Sequence, residues 1–437
     1  MNDFSRLLAS QVNADIRGMP ERVRARFSAE GMAARCGTIG ELRAAARRRV
    51  PGVVFDYVDG GAGDEVTLRR NITALRAVEI MPRALAGVPE VETATTVLGE
   101  PVALPLLGAP MGLAGLLHPA GEVALARALH DAGSVSILSS MASCPVEEVA
   151  AASAGPTWFQ MYLWRDRGLV KDVLDRVRAA GVRVLVVTVD VPCSGNRDRD
   201  RRNGFSIPPR VTLRTLADGA LRPHWSYDFV RNPRISWGNL PGSGAGATSL
   251  SSRTNQQFDP AATWADLSWF RDHWTGPLVV KGVLSPHDAR RAVDLGAGAV
   301  VVSNHGGRQL DGAPATIRAL PAVAGEVGGD AEVYLDGGIR RGADIVKALA
   351  LGARACLAGR ALAYGLGAAG QAGARRAVDI LHAELRVVLT LAGCPSVHDL
   401  GPSWVSLPRT RPGDPEASRE APSASRPGDP EASREAP

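Results

Sequence analysis

AVVVSNHGGRQLDG, residues 299–312, joins a short β-branched run to an abrupt polar and glycine-rich string. Within Ala299 to Val302 apolar and polar residues do not alternate. Such a run fits a parallel strand covered on both faces. The same unit recurs in both directions along the chain. Apolar runs at Leu106–Ala109, Val135–Leu138, Trp158–Leu163, Val182–Val189, Leu278–Val280, Glu332–Leu335 and Ala355–Leu357 complete a set of eight. Most intervening stretches carry helical spacing, as between Glu122 and Leu129. Eight βα units in order predict an α/β fold of the TIM (β/α)8 barrel type. A doubly wound sheet shares this periodicity, because a period cannot show closure.

In such a barrel the active site lies at the C-terminal ends of the strands. Those ends read Pro110-Met111-Gly112, Ser139-Ser140, Gln160 with Tyr162, Thr188 with Asp190, Lys281, Ser303-Asn304-His305, Asp336-Gly337-Gly338 and Gly359-Arg360. Core packing gives no reason for so consistent a polar ending. A lone histidine is ordinarily structural. His305, however, follows a strand, sits beside two glycines and precedes Arg308 by three residues. Histidine can act as a base near neutral pH, and arginine can hold a carboxylate in a bidentate fork. Asp336-Gly-Gly-Ile-Arg340 and Ala358-Gly359-Arg360 offer glycine amides and a cation, the means by which barrels bind phosphate after the last strands. Lys281 is one of three lysines against 47 arginines. A cation in the barrel mouth can stabilise developing negative charge.

The 437 residues would allow about three domains by length alone. The repeat of βα units points instead to one barrel unit over 36–406. Residues 1–35 form an N-terminal extension. A capping box at Thr38-Ile39-Gly40-Glu41 opens a helix that Pro51 stops. A long loop, 191–276, follows the fourth strand. Its last part, Thr263 to Trp274, has helical spacing, whereas Gly242-Ser-Gly-Ala-Gly246 reads as a flexible loop. Residues 407–437 contain RPGDPEASREAP twice, at 411–422 and 426–437, too poor in apolar residues to fold, and are expected to be disordered.

A net charge of +5 is too small for this length to argue for nucleic acid, and no nucleic-acid partner is expected. The interleaved Arg197-Asp-Arg-Asp-Arg-Arg202 reads as a solvated loop with one functional arginine. Five scattered cysteines without a CxxC pair indicate a reduced chain with neither disulfide frame nor metal site. No secretory h-region is visible, and the apolar run 101–117 is broken by prolines and glycines. A cytoplasmic location follows as the expectation.

SNHGGRQLDG (303–312) and LDGGIRRGADIVKALALGA (335–353) carry a specific resemblance to the FMN-dependent L-2-hydroxy acid dehydrogenase/oxidase family. The resemblance runs from about residue 36 to 406. It implies FMN as cofactor and a small lactate- or mandelate-like hydroxy acid as substrate, oxidised to the 2-oxo acid. Electrons would pass to a quinone, another acceptor or oxygen. It makes His305 the base, oriented by Asp190. Arg308 and Tyr57 would hold the substrate carboxylate, Arg197 would close over it, and Tyr162 would contact the reacting oxygen. Pro110, Met111, Gly112, Ser139, Gln160, Thr188 and Lys281 would surround the flavin ring. Ser303 and Asp336 would meet the ribityl chain. Gly338, Arg340, Gly359 and Arg360 would form the phosphate site.

Relatives are often tetramers, so by analogy a homo-oligomer is expected. Two departures stand out: Met111-Gly112 replaces a Thr-Ala or Thr-Gly pair, leaving room near the flavin, and Met141 replaces an often aromatic residue. LRPHWSYDFVRNP, 221–233, resembles the membrane-contacting stretch of some relatives. Trp225, Tyr227, Phe229 and Trp237 beside Arg222, Arg231 and Arg234 would suit a peripheral surface at the inner face of a membrane. A loop folded back over the barrel is the competing reading. The rival functional readings are an FMN barrel of another class, isomerase or peptide-modifying, and a non-catalytic FMN binder.

Overall fold

The computed structural model describes residues 28–205, 212–240 and 256–407. The repeated tail, most of the N-terminal extension and the glycine loop at 242–246 lie outside them. Eight parallel strands close on themselves: β1 Leu106–Gly108, β2 Ser136–Ser139, β3 Thr157–Tyr162, β4 Leu185–Thr188, β5 Leu278–Val283, β6 Ala299–Val302, β7 Glu332–Asp336 and β8 Ala355–Ala358. Each pairs with the next, and β8 pairs with β1. Closure decides between the two topologies that share this periodicity.

Strand period 2 divides the barrel cleanly. Leu107, Ile137, Trp158, Val186, Val279, Val301, Tyr334 and Leu357 belong to one interior cluster, separate from the larger cluster under the helices. Two residues further along six of the eight strands, the inward series turns polar. It reaches Ser139, Gln160, Thr188, Lys281, Ser303 and Asp336, all buried. The opposite end is closed by a hairpin, Thr95–Val97 with Glu100–Val102, whose Val97 and Val102 join the interior cluster.

Before the barrel come helices Ile39–Arg49, Gly52–Asp59 and Val66–Ala77. Thr38 caps the first of these by accepting from the Glu41 amide at 3.2 Å. Glu41 does not close the capping box. Its carboxylate reaches the Gly37 amide instead, at 2.6 Å, one residue before the cap. The long connection after β4 holds more structure than its composition indicates: helices Asp198–Arg202, Leu213–Ala220 and Pro223–Arg231, then the crossover helix Trp264–His273. Thr263 and Asp266 form a true capping box on the last of these. Among the described residues no helix is long and apolar enough to cross a membrane.

Candidate active site

His305 stands just past β6 with φ at +57°, in the left-handed region. Its amide donates to Ser303 Oγ at 3.0 Å, and its Nδ1 lies 3.0 Å from Asp190 Oδ1. Asp190 comes from the end of β4. It can approach because β5 bulges between Lys281 and Val283, where Gly282 takes φ at +109°. A Cβ on Gly282 would sit 2.7 Å from both Cβ and Cγ of Asp190. Burial pulls the His305 pKa below its ordinary value, with Asp190 opposing the shift. Tyr162 lies beside the imidazole, ring centroids 6.4 Å apart. Burial, then the nearby Asp190, raises its phenol pKa, so it remains a hydrogen-bond donor.

Lys281, Ser303 and Asp336 form a buried triangle. Lys281 Nζ is 2.9 Å from Asp336 Oδ2 and 3.0 Å from Ser303 Oγ, and Ser303 Oγ donates to Asp336 Oδ2 at 2.9 Å. Burial alone would raise the Asp336 carboxyl, yet Lys281 holds it below its usual range. On the other side, Ser139 Oγ donates to Gln160 Oε1 at 2.8 Å. Gln160 Nε2 and Thr188 Oγ1 are buried with no partner among the described residues. Buried polar groups are rarely left so, and these two stand in the row that turns toward the barrel mouth.

Arg308 donates to the carbonyls of Tyr57 at 2.7 Å and Gly60 at 3.1 Å, with its guanidinium 5.1 Å from the Tyr57 ring centre. Arg360 donates to Val58, Gly306 and Gly60 carbonyls at 3.0, 2.8 and 2.8 Å. Among the described residues, neither has a carboxylate ion-pair partner. Burial and the charge of Arg308 pull Arg360 down to about 9. Two partly buried cations whose hydrogen bonds go to carbonyl oxygens, with no carboxylate in ion-pair contact, favour anions arriving from outside. Arg360 also opens the helix Arg360–Ala392, behind Gly359, and Gly338 takes φ at +94°. Arg340 lies over the Tyr364 ring at 5.6 Å.

These groups share one cavity of about 480 Å³. Its wall includes Tyr57, Pro110, Met111, Gly112, Tyr162, Arg197, Lys281, His305, Arg308, Asp336, Gly338, Arg340, Gly359 and Arg360. Ser139, Gln160, Thr188 and Ser303 lie in the buried row at its base. Gly112 is packed more tightly than its size implies: a Cβ there would lie 3.1 Å from the Met141 carbonyl oxygen. A flat polar-rimmed ring fits the orphaned donors, a hydroxylated chain the Ser303–Asp336 pair, and a phosphate the glycine and arginine end. FMN has these three parts.

The match to the FMN-dependent dehydrogenase family covers residues 46–407. The chain belongs to that family. It is an FMN-dependent oxidoreductase. It is 45% identical over 375 residues to the L-lactate dehydrogenase of Stenotrophomonas maltophilia (strain K279a), covering 84% of this chain and 98% of that one. It is 47% identical over 357 residues to the L-lactate dehydrogenase of Caulobacter vibrioides (strain NA1000 / CB15N), covering 81% and 93%. Among solved structures, the monotopic membrane protein (S)-mandelate dehydrogenase aligns with a TM-score of 0.82 at 37% identity, covering 86% of this chain and all of that one. Mandelate oxidase with (S)-2-phenylpropionate aligns at 0.72 and 40% identity, covering 85% and 98%.

Several contributors to this FMN-dependent dehydrogenase site gave no sequence signal. Phe258, far along the long connection, packs edge-on against Tyr162 at 5.5 Å. Phe205 stacks on Tyr57 at 4.5 Å. Asn71 exchanges two 2.8 Å hydrogen bonds with Asn304, bracing the His305 loop. Asp311 accepts from the amides of Val66 and Thr67, capping their helix from the same motif. Arg197 to Arg202 is not a loose loop, because Arg199 is tied to Asp59 and Glu65. Trp237 does not face outward either. It is 2% exposed and lines the cavity.

Proposed function

We propose that this protein oxidises an L-2-hydroxy acid to the corresponding 2-oxo acid. The observation that supports this most is that the His305–Asp190 pair and Arg308, which has no carboxylate ion-pair partner among the described residues, line one cavity. FMN, when bound, would supply the two-electron acceptor, with a quinone, another acceptor or oxygen as the final oxidant. The substrate carboxylate binds Arg308 and Tyr57, and Arg197 closes over it. His305 Nε2 takes the hydroxyl proton, while Asp190 holds the ring through Nδ1 and stabilises the imidazolium. Tyr162 donates to the oxygen that becomes the ketone. Lys281 supplies positive charge where negative charge accumulates. Met141, Val191, Phe258 and Trp237 give the side-chain end of the cavity an apolar wall. That wall favours a lactate- or mandelate-like substrate.

The test is anaerobic mixing of FMN-loaded protein with L-lactate, glycolate and L-mandelate. Loss of flavin absorbance with at least one is expected. Full FMN occupancy without reduction by any of them would overturn the reading. Reoxidation by oxygen or by a quinone analogue then separates oxidase from dehydrogenase.

Peripheral membrane contact is part of the same reading. The mandelate dehydrogenase relative is a monotopic membrane protein. Here Leu221, Tyr227 and Val230 are exposed on the Pro223–Arg231 helix and its lead-in. Trp225 and Phe229 stack on each other at 4.7 Å and pack against the core. An apolar outer face on an anchored helix suits a membrane surface.

A further inference from the structure

Asp59 lies outside the substrate cavity, yet more polar contacts converge on it than on the groups inside. It is 6% exposed. Its carboxylate accepts from Arg43 Nε at 2.6 Å and Nη2 at 2.8 Å, from Arg199 Nη1 at 3.0 Å and from the Tyr364 hydroxyl at 2.8 Å. Those donors come from three different elements: the helices Ile39–Arg49, Asp198–Arg202 and Arg360–Ala392. Asp59 itself ends the helix that carries Tyr57. The carbonyls around it hold the two arginines, since Arg308 takes Tyr57 and Gly60, and Arg360 takes Val58 and Gly60. One turn of chain, 57–60, thus fixes Tyr57, Arg308 and Arg360, and through Asp59 it grips Arg199.

Arg199 lies between Arg197 and Asp200, both of which line the cavity. Its helix, Asp198–Arg202, has five residues and buries none of them. So short a helix has no stability of its own, and no apolar face holds it down. Polar contacts do so within it, beside the stacking of Phe205, three residues further on, against Tyr57. Arg199 supplies the strongest, to Asp59 and at 2.6 Å to Glu65, and Asn203 adds a bond to Asp56 at 2.7 Å.

We propose that Asp59, acting through Arg199, is a positioning residue that holds the Arg197 segment over the substrate-carboxylate site. Capture of the substrate is then set partly by an ion-pair hub behind the pocket. This rests on the reading of Arg197 as a carboxylate ligand. The hub touches neither substrate nor cofactor, so it acts on binding and on the closed position of the segment. The proton transfer at His305 is left alone.

The test uses the full chain loaded with FMN and oxalate as a probe that cannot be oxidised in this way, its affinity read from the perturbation of the flavin spectrum. Arg199→Gln should weaken oxalate about tenfold, in the range of coupled contacts, and raise KM for the best hydroxy acid by a similar factor. Its kcat should stay within about threefold, and FMN content should not change. Trypsin should cut faster between Arg197 and Arg202. Asp59→Asn should do the same, and the double variant should be no worse than the poorer single one. Should Asp59→Asn fail to fold, Arg199→Gln alone decides. Arg197→Ala is the control. If it weakens oxalate while Arg199→Gln binds and resists trypsin like the parent, the hub is refuted. Additive losses in the double variant refute it as well. If Arg197→Ala itself leaves oxalate binding intact, the carboxylate reading fails first and takes the hub with it.

Discussion

The backbone of His305 has φ at +57°, a conformation that costs most non-glycine residues on the order of 1–3 kcal/mol. Ser303 Oγ on its amide and Asp190 on its ring hold it there. His305→Ala should abolish flavin reduction by the hydroxy acid while leaving FMN bound, which stopped-flow absorbance and cofactor content would show together. In the proposed role as base, His305 works as the neutral imidazole. Because burial lowers its pKa, kcat/KM should rise through an acid limb below the ordinary histidine value of about 6.5 and stay flat above it. Asp190 works against that lowering. Asp190→Asn should therefore move the limb to still lower pH, and it should cut the maximal rate by roughly 10²–10⁴-fold. A limb that moves upward in this variant would contradict the assignment. Asp59 titrates in the opposite sense. Burial would raise its carboxyl, but Arg43, Tyr364 and Arg199 hold it at about 2. Its stabilising contribution is full above its unfolded value of 3.8 and is lost as pH falls from there through about 2. An acid-unfolding curve of Asp59→Asn should lack that component.

At the scale of elements, β5 shows how one residue shapes its neighbours. Gly282→Ala should cost about 1–3 kcal/mol, because a Cβ at φ +109° would strike Asp190. Activity should fall further than stability, since Asp190 must move; urea unfolding and turnover measured on one preparation would show the difference. On the Pro223–Arg231 helix, Val230→Asp should weaken sedimentation with anionic vesicles and leave turnover with a soluble acceptor unchanged. Strands such as Ala299–Val302 were legible because unbroken β-branched runs have few other uses. His305, Arg308 and Lys281 were legible because polar residues right after such runs need a reason. Phe258 and Phe205 were not, since both reach the site from a connection without internal period. Trp237 misled for a related reason: aromatic residues beside arginines look alike whether they face lipid or fold inward. Asp59 was invisible because its partners lie at 43, 199 and 364, and only the closed barrel brings them together.

For the molecule as a whole, the cofactor is part of the fold's energetics. The orphaned donors on Gln160 and Thr188 are unfavourably buried until something binds them. Saturation with FMN at a hundred times its Kd should stabilise the protein by about 2.7 kcal/mol, and calorimetry of the stripped and reloaded protein should show the difference as a shift in Tm. The barrel axis separates two kinds of residue: hydrocarbon from Leu107 round to Leu357, then the polar row from Ser139 to Asp336. The consequence is a molecule with two distinct tolerances to mutation. In a saturation library scored for both abundance and turnover, changes in the lower layer should remove the protein from the cell. Changes one step higher should leave abundant, silent protein, so that the mouth can be rewritten for new substrates on a floor that must stay as it is.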